Sequence, residues 1–437
     1  MSRAKRSTAA QLPQGAYDIV LEDQKYWHFV FKKVQPLLED YSFERTETSL
    51  LEPAELYLTL EVPGDVMKRE FLSAKIKDGH VVVRPSLRIS LARAYAEHGM
   101  HALPHPLKLY GSGQVFRFDA DGHIGQCHEL TVQTIGDDSE VTDAELLFLA
   151  HRVLETLGLH HYNVHINTLG DQNCRPGYLR ALRDFYKNRL KKVCAKCRLN
   201  FKEDVLLLLS CAEAECREAL HDAPQLIDFL DEGCKNHFKR VLEFLDLAKI
   251  PYILDPYLIR EMHGATRTVF EFRPEEAVPG TEPETTPKSP VAQAIIIGGR
   301  HDKLLEEIGG PRMPSAGWTM NTGAIARILK EQNANVPELG IKPKVFLIQL
   351  GEAAKRKSLL LFEDIRRAGI EIKFSLSRDS FKSQLRIASR HGVRFTLIFG
   401  QKEAIEGTVI LREMETGIQE TIPLEKIIEE LKKRLKR

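Results

Sequence analysis

The chain of 437 residues has no apolar run near the ~18 residues that a membrane helix requires, and its basic start, MSRAKRSTAA, lacks the apolar stretch of a secretion signal. A soluble, cytoplasmic protein with no membrane partner is expected. Net charge is almost absent as well. Lys and Arg number 62 against 61 Asp and Glu, a balance of +1, so no global field announces a nucleic-acid partner and any basic surface must be local. Nor do the seven Cys spread as a disulfide framework would. Five of them, Cys194, Cys197, Cys211, Cys216 and Cys234, fall in one short region, which in a cytosolic chain suits a metal better than disulfides. Cys194-x-x-Cys197 with Cys211 and Cys216 makes a candidate tetrahedral zinc set. Only one pair has the tight spacing, so a cluster of small buried side chains is the competing reading.

What is present is enough chain for two or three domains. The stretch around which the rest is organised is Val115–Gly136, read as two antiparallel strands joined by a long polar turn. Arg117 on the first strand offers a planar fork suited to a phosphate, and Asp119 a carboxylate for an amine of the same ligand. Before it, Glu22–Tyr41 carries Trp27, Val30, Phe31, Val34, Leu37 and Leu38 at helical spacing. Ser42–Pro53 alternates like a strand, and Phe71–Ile76 with His80–Arg84 suggests a hairpin around Asp78-Gly79. Ser86 beside Pro85 caps a following helix. After the hairpin come a helix over Asp143–Leu157, a strand over Tyr162–Leu169 and a helical, Cys-bearing insertion over about 175–240. Strands are expected at Thr268–Phe272, Ala294–Ile297 (turning at Gly298-Gly299) and Ala316–Met320. Residues 1–12 read as a disordered tail, and the Pro, Glu and Thr composition of 273–291 as a mobile loop.

A polar segment, 333–343, separates 13–332 from 344–437, where strands and helices alternate as in a small, mostly parallel α/β domain. Its helix with Lys382, Gln384, Arg386 and Arg390 could face a phosphate backbone, although a solvated face is the default.

From about Gln11 onward the chain resembles histidyl-tRNA synthetase, a class II aminoacyl-tRNA synthetase. The segments that carry the resemblance are QGAYDI, YSFERTETSLLEP, FRFD and its following strand, INTLGDQNCRPGY, DPYLIR, TRTVFEF, GGRHDKL, SAGWTM, KVFLIQLGEAAKRK, HGVRFTLIFG and GTVILREMETG. The resemblance implies an antiparallel-sheet catalytic domain with an α/β anticodon-binding domain, a homodimer, tRNA as partner, and ATP with magnesium. It matches Arg117, Asp119, His128 and Arg260 to family functional residues: Arg117 and Arg260 as catalytic, Arg117 and Asp119 as ATP-binding, and His128 in the amino-acid pocket.

The departures fall where the chemistry should be. The family's RPEGT is Arg84-Pro85-Ser86-Leu87-Arg88, without the carboxylate that binds the amino group. Its GLDYYT is Glu261-Met262-His263-Gly264-Ala265-Thr266, which leaves open space where two rings would clasp histidine. Its GLER is Asn321-Thr322-Gly323-Ala324, without the Arg that meets the ATP phosphates. The HQF…VE segment reads His128-Glu129-Leu130…Val132-Gln133, and the first motif's Pro is Ser49. A paralogue that keeps fold, dimer and RNA binding but has lost histidine activation is therefore expected. The alternatives are a divergent active ligase using His263, Arg88 or Arg300, and a regulatory subunit of histidine biosynthesis, which fits less well because such subunits lack the anticodon domain.

Overall fold

The computed structural model describes residues 11–58, 60, 71–77, 79–118, 123–211, 213–220, 222–259, 264–275, 294–337, 342–375 and 380–436. They form two compact units that divide between Pro337 and Glu338.

In the first unit, α1 (Gln24–Asp40) turns Tyr26, Trp27, Val30, Val34 and Leu38 inward, the one-sided spacing of an amphipathic helix. The single strand expected over Ser42–Pro53 is instead two short pieces, β1 (Glu44–Arg45) and β2 (Leu51–Pro53), in different sheets. Arg84 accounts for the break. Its guanidinium donates to Thr48 O at 3.0 Å, Ser49 O at 3.3 Å and Gln114 O at 2.9 Å, using carbonyls that a ladder would otherwise claim. Ser49, in place of the family's Pro, accepts the Leu51 N–H at 3.1 Å and makes its own local turn.

After α2 (Ala54–Leu58), β3 (Ser73–Ile76) and β4 (Gly79–Val83) pair as the expected hairpin, and β2 completes a three-stranded sheet. Then α3 (Leu87–Glu97) begins after an extended Ser86 whose side chain makes no cap hydrogen bond. The expected serine cap is thus replaced by a distant carboxylate, since the Leu87 N–H donates to Glu129 Oε2 at 3.3 Å.

The central hairpin is β5 (Leu107–Phe118) with β6 (Ile124–Ile135), paired in register from Leu107↔Ile135 to Phe118↔Ile124. There follow α4 (Glu140–Thr156), β7 (Tyr162–Thr168), the insertion helices α5 (Arg175–Lys187), α6 (Ala195–Glu203) and α7 (Ala214–Leu220), then α8 (Glu232–Ala248) and β8 (Tyr252–Leu254). The unit closes with β9 (Thr266–Pro274), β10 (Ile296–Arg300), α9 (Leu304–Glu307), β11 (Ser315–Asn321) and α10 (Thr322–Glu331). The strands form one sheet in the order β1-β5-β6-β11-β10-β9-β7-β8, antiparallel except for the outer pairs β1/β5 and β7/β8. Leu130, Val132, Phe270, Phe272 and Trp318 from this sheet join α1 and α4 in the main core.

No turn forms at Gly298-Gly299, because β10 continues through both, with a shift of its register against β9 between Gly299 and Arg300. Gly298 is required by close approach: a Cβ there would lie 2.3 Å from the Phe270 ring and 2.7 Å from Trp318 Cβ. Strand β9 reaches Pro274, so the loop expected over 273–291 starts later, and its residues from 276 lie outside the described ones. Residues 1–10 of the expected tail also lie outside; Gln11 and Leu12 are exposed.

The second unit is built from β12 (Val345–Gln349), α11 (Glu352–Arg367), β13 (Ile372–Phe374), α12 (Phe381–Arg390), β14 (Phe395–Phe399), α13 (Gln401–Glu406), β15 (Thr408–Glu413), β16 (Gln419–Pro423) and α14 (Ile427–Leu435). Its sheet runs β13-β12-β14-β15-β16, parallel over the first three strands and antiparallel beyond, so it is more mixed than the sequence pattern implied. Gln384 does not share the polar face expected of it. It is fully buried, accepting the Gln349 N–H at 3.1 Å and donating to Gln349 O at 2.7 Å. Lys382, Arg386 and Arg390, one turn apart, remain as an exposed basic stripe.

Candidate active site

Side chains alternate across a strand, and on β6 that alternation decides which candidates share a site. Glu129 and Gln133 lie on the face covered by α3. His128 lies on the other: its ring packs 4.8 Å from Trp27 and 6.4 Å from Phe31 of α1. It therefore belongs to the core under the sheet and not to an amino-acid pocket, contrary to its matched role. Burial, reinforced by the Arg84 charge, holds its pKa below the usual imidazole value.

On the α3 face, Arg117 extends from β5 with its side chain half exposed. Its fork is already engaged: Nε donates to Pro85 O at 2.6 Å and Nη2 is paired with Glu129 Oε1. The Glu129 charge, more than any other influence, raises the Arg117 pKa. Glu129 is buried, and its second oxygen takes the Leu87 N–H, so this carboxylate sits beside Ser86 where the family's acid is missing. Asp119, Arg260 and His263 lie outside the described residues.

Deeper on the same face are Gln133 and His301, 1% and 0% exposed. Gln133 Nε2 contacts Arg88 O at 3.2 Å and His301 Nε2 at 3.4 Å. Three buried atoms here, Gln133 Oε1, His301 Nδ1 and Arg88 Nε, have no hydrogen-bond partner. Burial lowers the Arg88 pKa to about 10, and burial with the Arg88 and Arg300 charges holds His301 well below its usual value, hence neutral. Reading the sequence by family positions did not single out His301; its signal was the His within GGRHDKL.

The space expected at Gly264 and Ala265 is filled. Gly264 has φ +66°, and a Cβ on it would lie 2.4 Å from Leu304 N and 2.8 Å from Lys303 C. Ala265 is buried with Leu169, Leu258 and Val269, and its carbonyl accepts from Arg175 Nη2 at 2.6 Å. Ala324, on the first turn of α10, packs against the main core and lines a cleft of about 420 Å³ with Tyr17, Trp27, Gln126 and Arg327. Its N–H is capped by Asn321 Oδ1 at 3.0 Å.

Arg300 is not free to act in catalysis. It is fully buried, with Nη2 at 2.6 Å and Nε at 3.0 Å from Asp143 Oδ1, while His237 Nε2 meets Asp143 Oδ2 at 2.8 Å. As for magnesium, no cluster of three acidic, His or Cys ligands forms on the α3 face among the described residues, and the Glu129 oxygens are committed. Magnesium takes one or two carboxylates, with the nucleotide's phosphates and waters completing its shell, and Asp119, the carboxylate matched to ATP binding, lies outside the described residues.

Cys194, Cys197, Cys211 and Cys216 do come together, every sulfur within 4.8 Å of the others. A second group, Asp171, Cys174, Asp231 and Cys234, is equally compact and escaped the sequence reading, although each Asp precedes its Cys at the same short spacing.

A long antiparallel hairpin with an Arg on its first strand, set in a helix-covered sheet and followed by a separate α/β unit, defines a class II aminoacyl-tRNA synthetase fold with an anticodon-binding domain. Comparison with known proteins agrees: residues 15–325 match the family described as histidyl-tRNA synthetase, and residues 344–434 the anticodon binding domain. The chain belongs to the histidyl-tRNA synthetase family. It is 34% identical to the histidine–tRNA ligase of Dehalococcoides mccartyi, covering 97% of this chain and 100% of that protein. With the histidine–tRNA ligase of Syntrophotalea carbinolica the identity is 30%, over 95% and 96%. The crystal structure of apo S. aureus histidyl-tRNA synthetase superimposes with a TM-score of 0.77 at 26% identity, covering 97% of this chain and 99% of that one. No helix among the described residues is long and apolar enough to cross a membrane.

Proposed function

We propose that this chain keeps the fold and tRNA binding of its family and has lost, or strongly reduced, the activation of histidine. The observation that carries the reading is the Arg117–Glu129 pair. A triphosphate arriving at Arg117 meets a buried carboxylate already holding the guanidinium, and like charge at that range is repulsive. No counter-charge stands at Ala324 to compensate, and removing one such preorganised donor typically costs about 3 kcal/mol, 10² to 10³ in rate. The histidine end fares no better, with Gly264 closed by backbone and a glutamine at position 133. Histidine-dependent pyrophosphate exchange into ATP tests the proposal.

One observation favours a divergent active ligase instead. Glu129 lies beside Ser86, so it offers an amino group the carboxylate that position 86 lacks. The variant Glu129→Gln separates the two readings. On the first it frees Arg117 and strengthens ATP binding; on the second it abolishes exchange.

Transfer RNA is the proposed partner of the second unit, through the stripe of Lys382, Arg386 and Arg390. Binding should weaken steeply with salt, and replacing all three by Ala should reduce the slope of log K against log salt by about 2 to 3. An unchanged slope would place the contacts elsewhere. A homodimer is also proposed. The apolar face of α1 is spent on its own core, leaving exposed Leu50 and Leu51 within the first motif for a second copy to cover. Light scattering at micromolar concentration checks this, and a monomer refutes it.

A further inference from the structure

We propose that Cys194, Cys197, Cys211 and Cys216 bind one structural zinc ion that staples the helical insertion. A zinc ion holds thiolates at about 2.3 Å, so the edges of its tetrahedron are about 3.8 Å long. Here the Cys194–Cys211 sulfurs are 3.9 Å apart and the Cys197–Cys216 sulfurs 3.8 Å, with all four inside 4.8 Å. These lengths are far beyond the ~2.05 Å of a disulfide, and all four cysteines are free.

The local chain is arranged to hold sulfur that carries charge. Cys194 caps α6 and accepts the Cys197 N–H at 3.4 Å, while the Cys194 N–H points at Cys216 Sγ at 3.1 Å. Such N–H donors favour thiolate over thiol. Four thiolates around Zn²⁺ leave a net charge of −2, and Lys191, Lys192, Lys196 and Arg198, all exposed, flank the first pair in sequence. A cluster of small hydrophobes fits less well, because Cys194 and Cys211 are only half-buried.

The insertion also has need of a staple. Helices α6 and α7 have nine and seven residues, below the length at which a helix holds its own shape in water. The cysteines come from α6, from the end of the 3₁₀ segment Val205–Ser210 and from α7, so a single ion ties together three short pieces. The insertion is in turn fastened to the catalytic-type body, through Tyr257 Oη to Leu220 O at 3.3 Å and Arg175 Nη2 to Ala265 O at 2.6 Å.

The group of Asp171, Cys174, Asp231 and Cys234 differs in its donors, two carboxylates and two thiols instead of four thiols. Asp231 is the N-cap of α8, accepting the Cys234 N–H at 2.8 Å, and Asp171 closes a local turn by accepting the Asn173 N–H at 2.8 Å. No ion is assigned there.

The test is metal content of the purified full-length chain by mass spectrometry, with Cys194→Ser/Cys211→Ser and Cys174→Ser/Cys234→Ser as variants. About one zinc per chain is expected, falling at least tenfold in the first variant and unchanged in the second. Zinc-depleted wild-type protein refilled with cobalt should show the intense d–d absorption of a tetrahedral tetrathiolate, which keeps the test decisive should the first variant fail to fold. Four titratable thiols with neither zinc nor a cobalt spectrum would overturn the proposal. So would iron in place of zinc, or loss of zinc from the second variant.

Discussion

Arg300 and His301 are chain neighbours, both with no exposed surface, and they sit in opposite kinds of surroundings. Arg300 is enclosed by Asp143, with Asp137 O at 2.9 Å and Ser139 O at 2.9 Å completing its donors, and Asp143 is shared with His237. His301, on the side of Gln133 and Arg88, leaves Nδ1 unpaired, as do Gln133 Oε1 and Arg88 Nε. A satisfied buried network fixes one structure, while a half-satisfied one costs about 1–3 kcal/mol per orphaned group. The contrast separates a closed ion network that holds the fold from a buried polar set that keeps three atoms unpaired. That set is joined through Gln133 Nε2, which meets Arg88 O at 3.2 Å and His301 Nε2 at 3.4 Å.

Four variants bear on that contrast. The largest effect should come from Arg300→Met, which strands the buried Asp143 charge and should cost about 3–5 kcal/mol of unfolding free energy; a urea melt shifted by less than about 1 kcal/mol would show that the network is dispensable. Next is Gly264→Tyr, the family's residue. It places a side chain at φ +66° against the Leu304 backbone, so it should cost at least about 2 kcal/mol and give no gain in histidine binding by calorimetry. Glu129→Gln should tighten ATP binding about tenfold, roughly 1.4 kcal/mol, by releasing Arg117; weaker binding would mean the carboxylate serves the nucleotide.

The smallest effect is expected at the orphaned set. His301→Phe should change stability at pH 8 by less than about 1 kcal/mol, since removing the unpaired Nδ1 offsets the loss of the long 3.4 Å contact between Nε2 and Gln133. The same variant should flatten the acid limb of stability. Burial holds the folded-state pKa well below 6.5, so the unfolded chain takes up the proton first as pH falls. That contribution to stability is full above the unfolded value and is lost progressively below it. An unchanged acid limb would mean that His301 is already charged in the fold.

Much of this was legible in the sequence, and the failures have physical causes. The α1 stripe, the β5–β6 hairpin and the alternating C-terminal pattern rest on local periodicity, which the structure preserves. Ser42–Pro53 broke because Arg84, far along the chain, takes the Thr48 and Ser49 carbonyls. Gly298-Gly299 read as a turn, yet they are strand residues made necessary by Phe270 and Trp318, which only the packed sheet brings near. In the site, motif matching grouped Arg117 and His128, whereas the structure sets Arg117 on the α3 face and His128 against α1 on the other face of the sheet, because a family position carries no statement of which way a side chain points. The loss of two rings at Gly264 and Ala265 suggested a void. A positive φ and the approach of Leu304 closed it, and neither is visible in composition or spacing. The cysteine set was visible from spacing, while the Asp171 and Asp231 group was not, because its two halves lie far apart in the chain.

The central claim is that a charge pair has replaced the activation chemistry on the α3 face. Histidine-dependent exchange of labelled pyrophosphate into ATP by the purified, unmodified chain measures it most directly. The exchange should not rise above the histidine-free background, and restoring Arg at Ala324 should not bring it back while Glu129 holds Arg117. Robust exchange by the unmodified protein at ordinary histidine concentrations would contradict the claim.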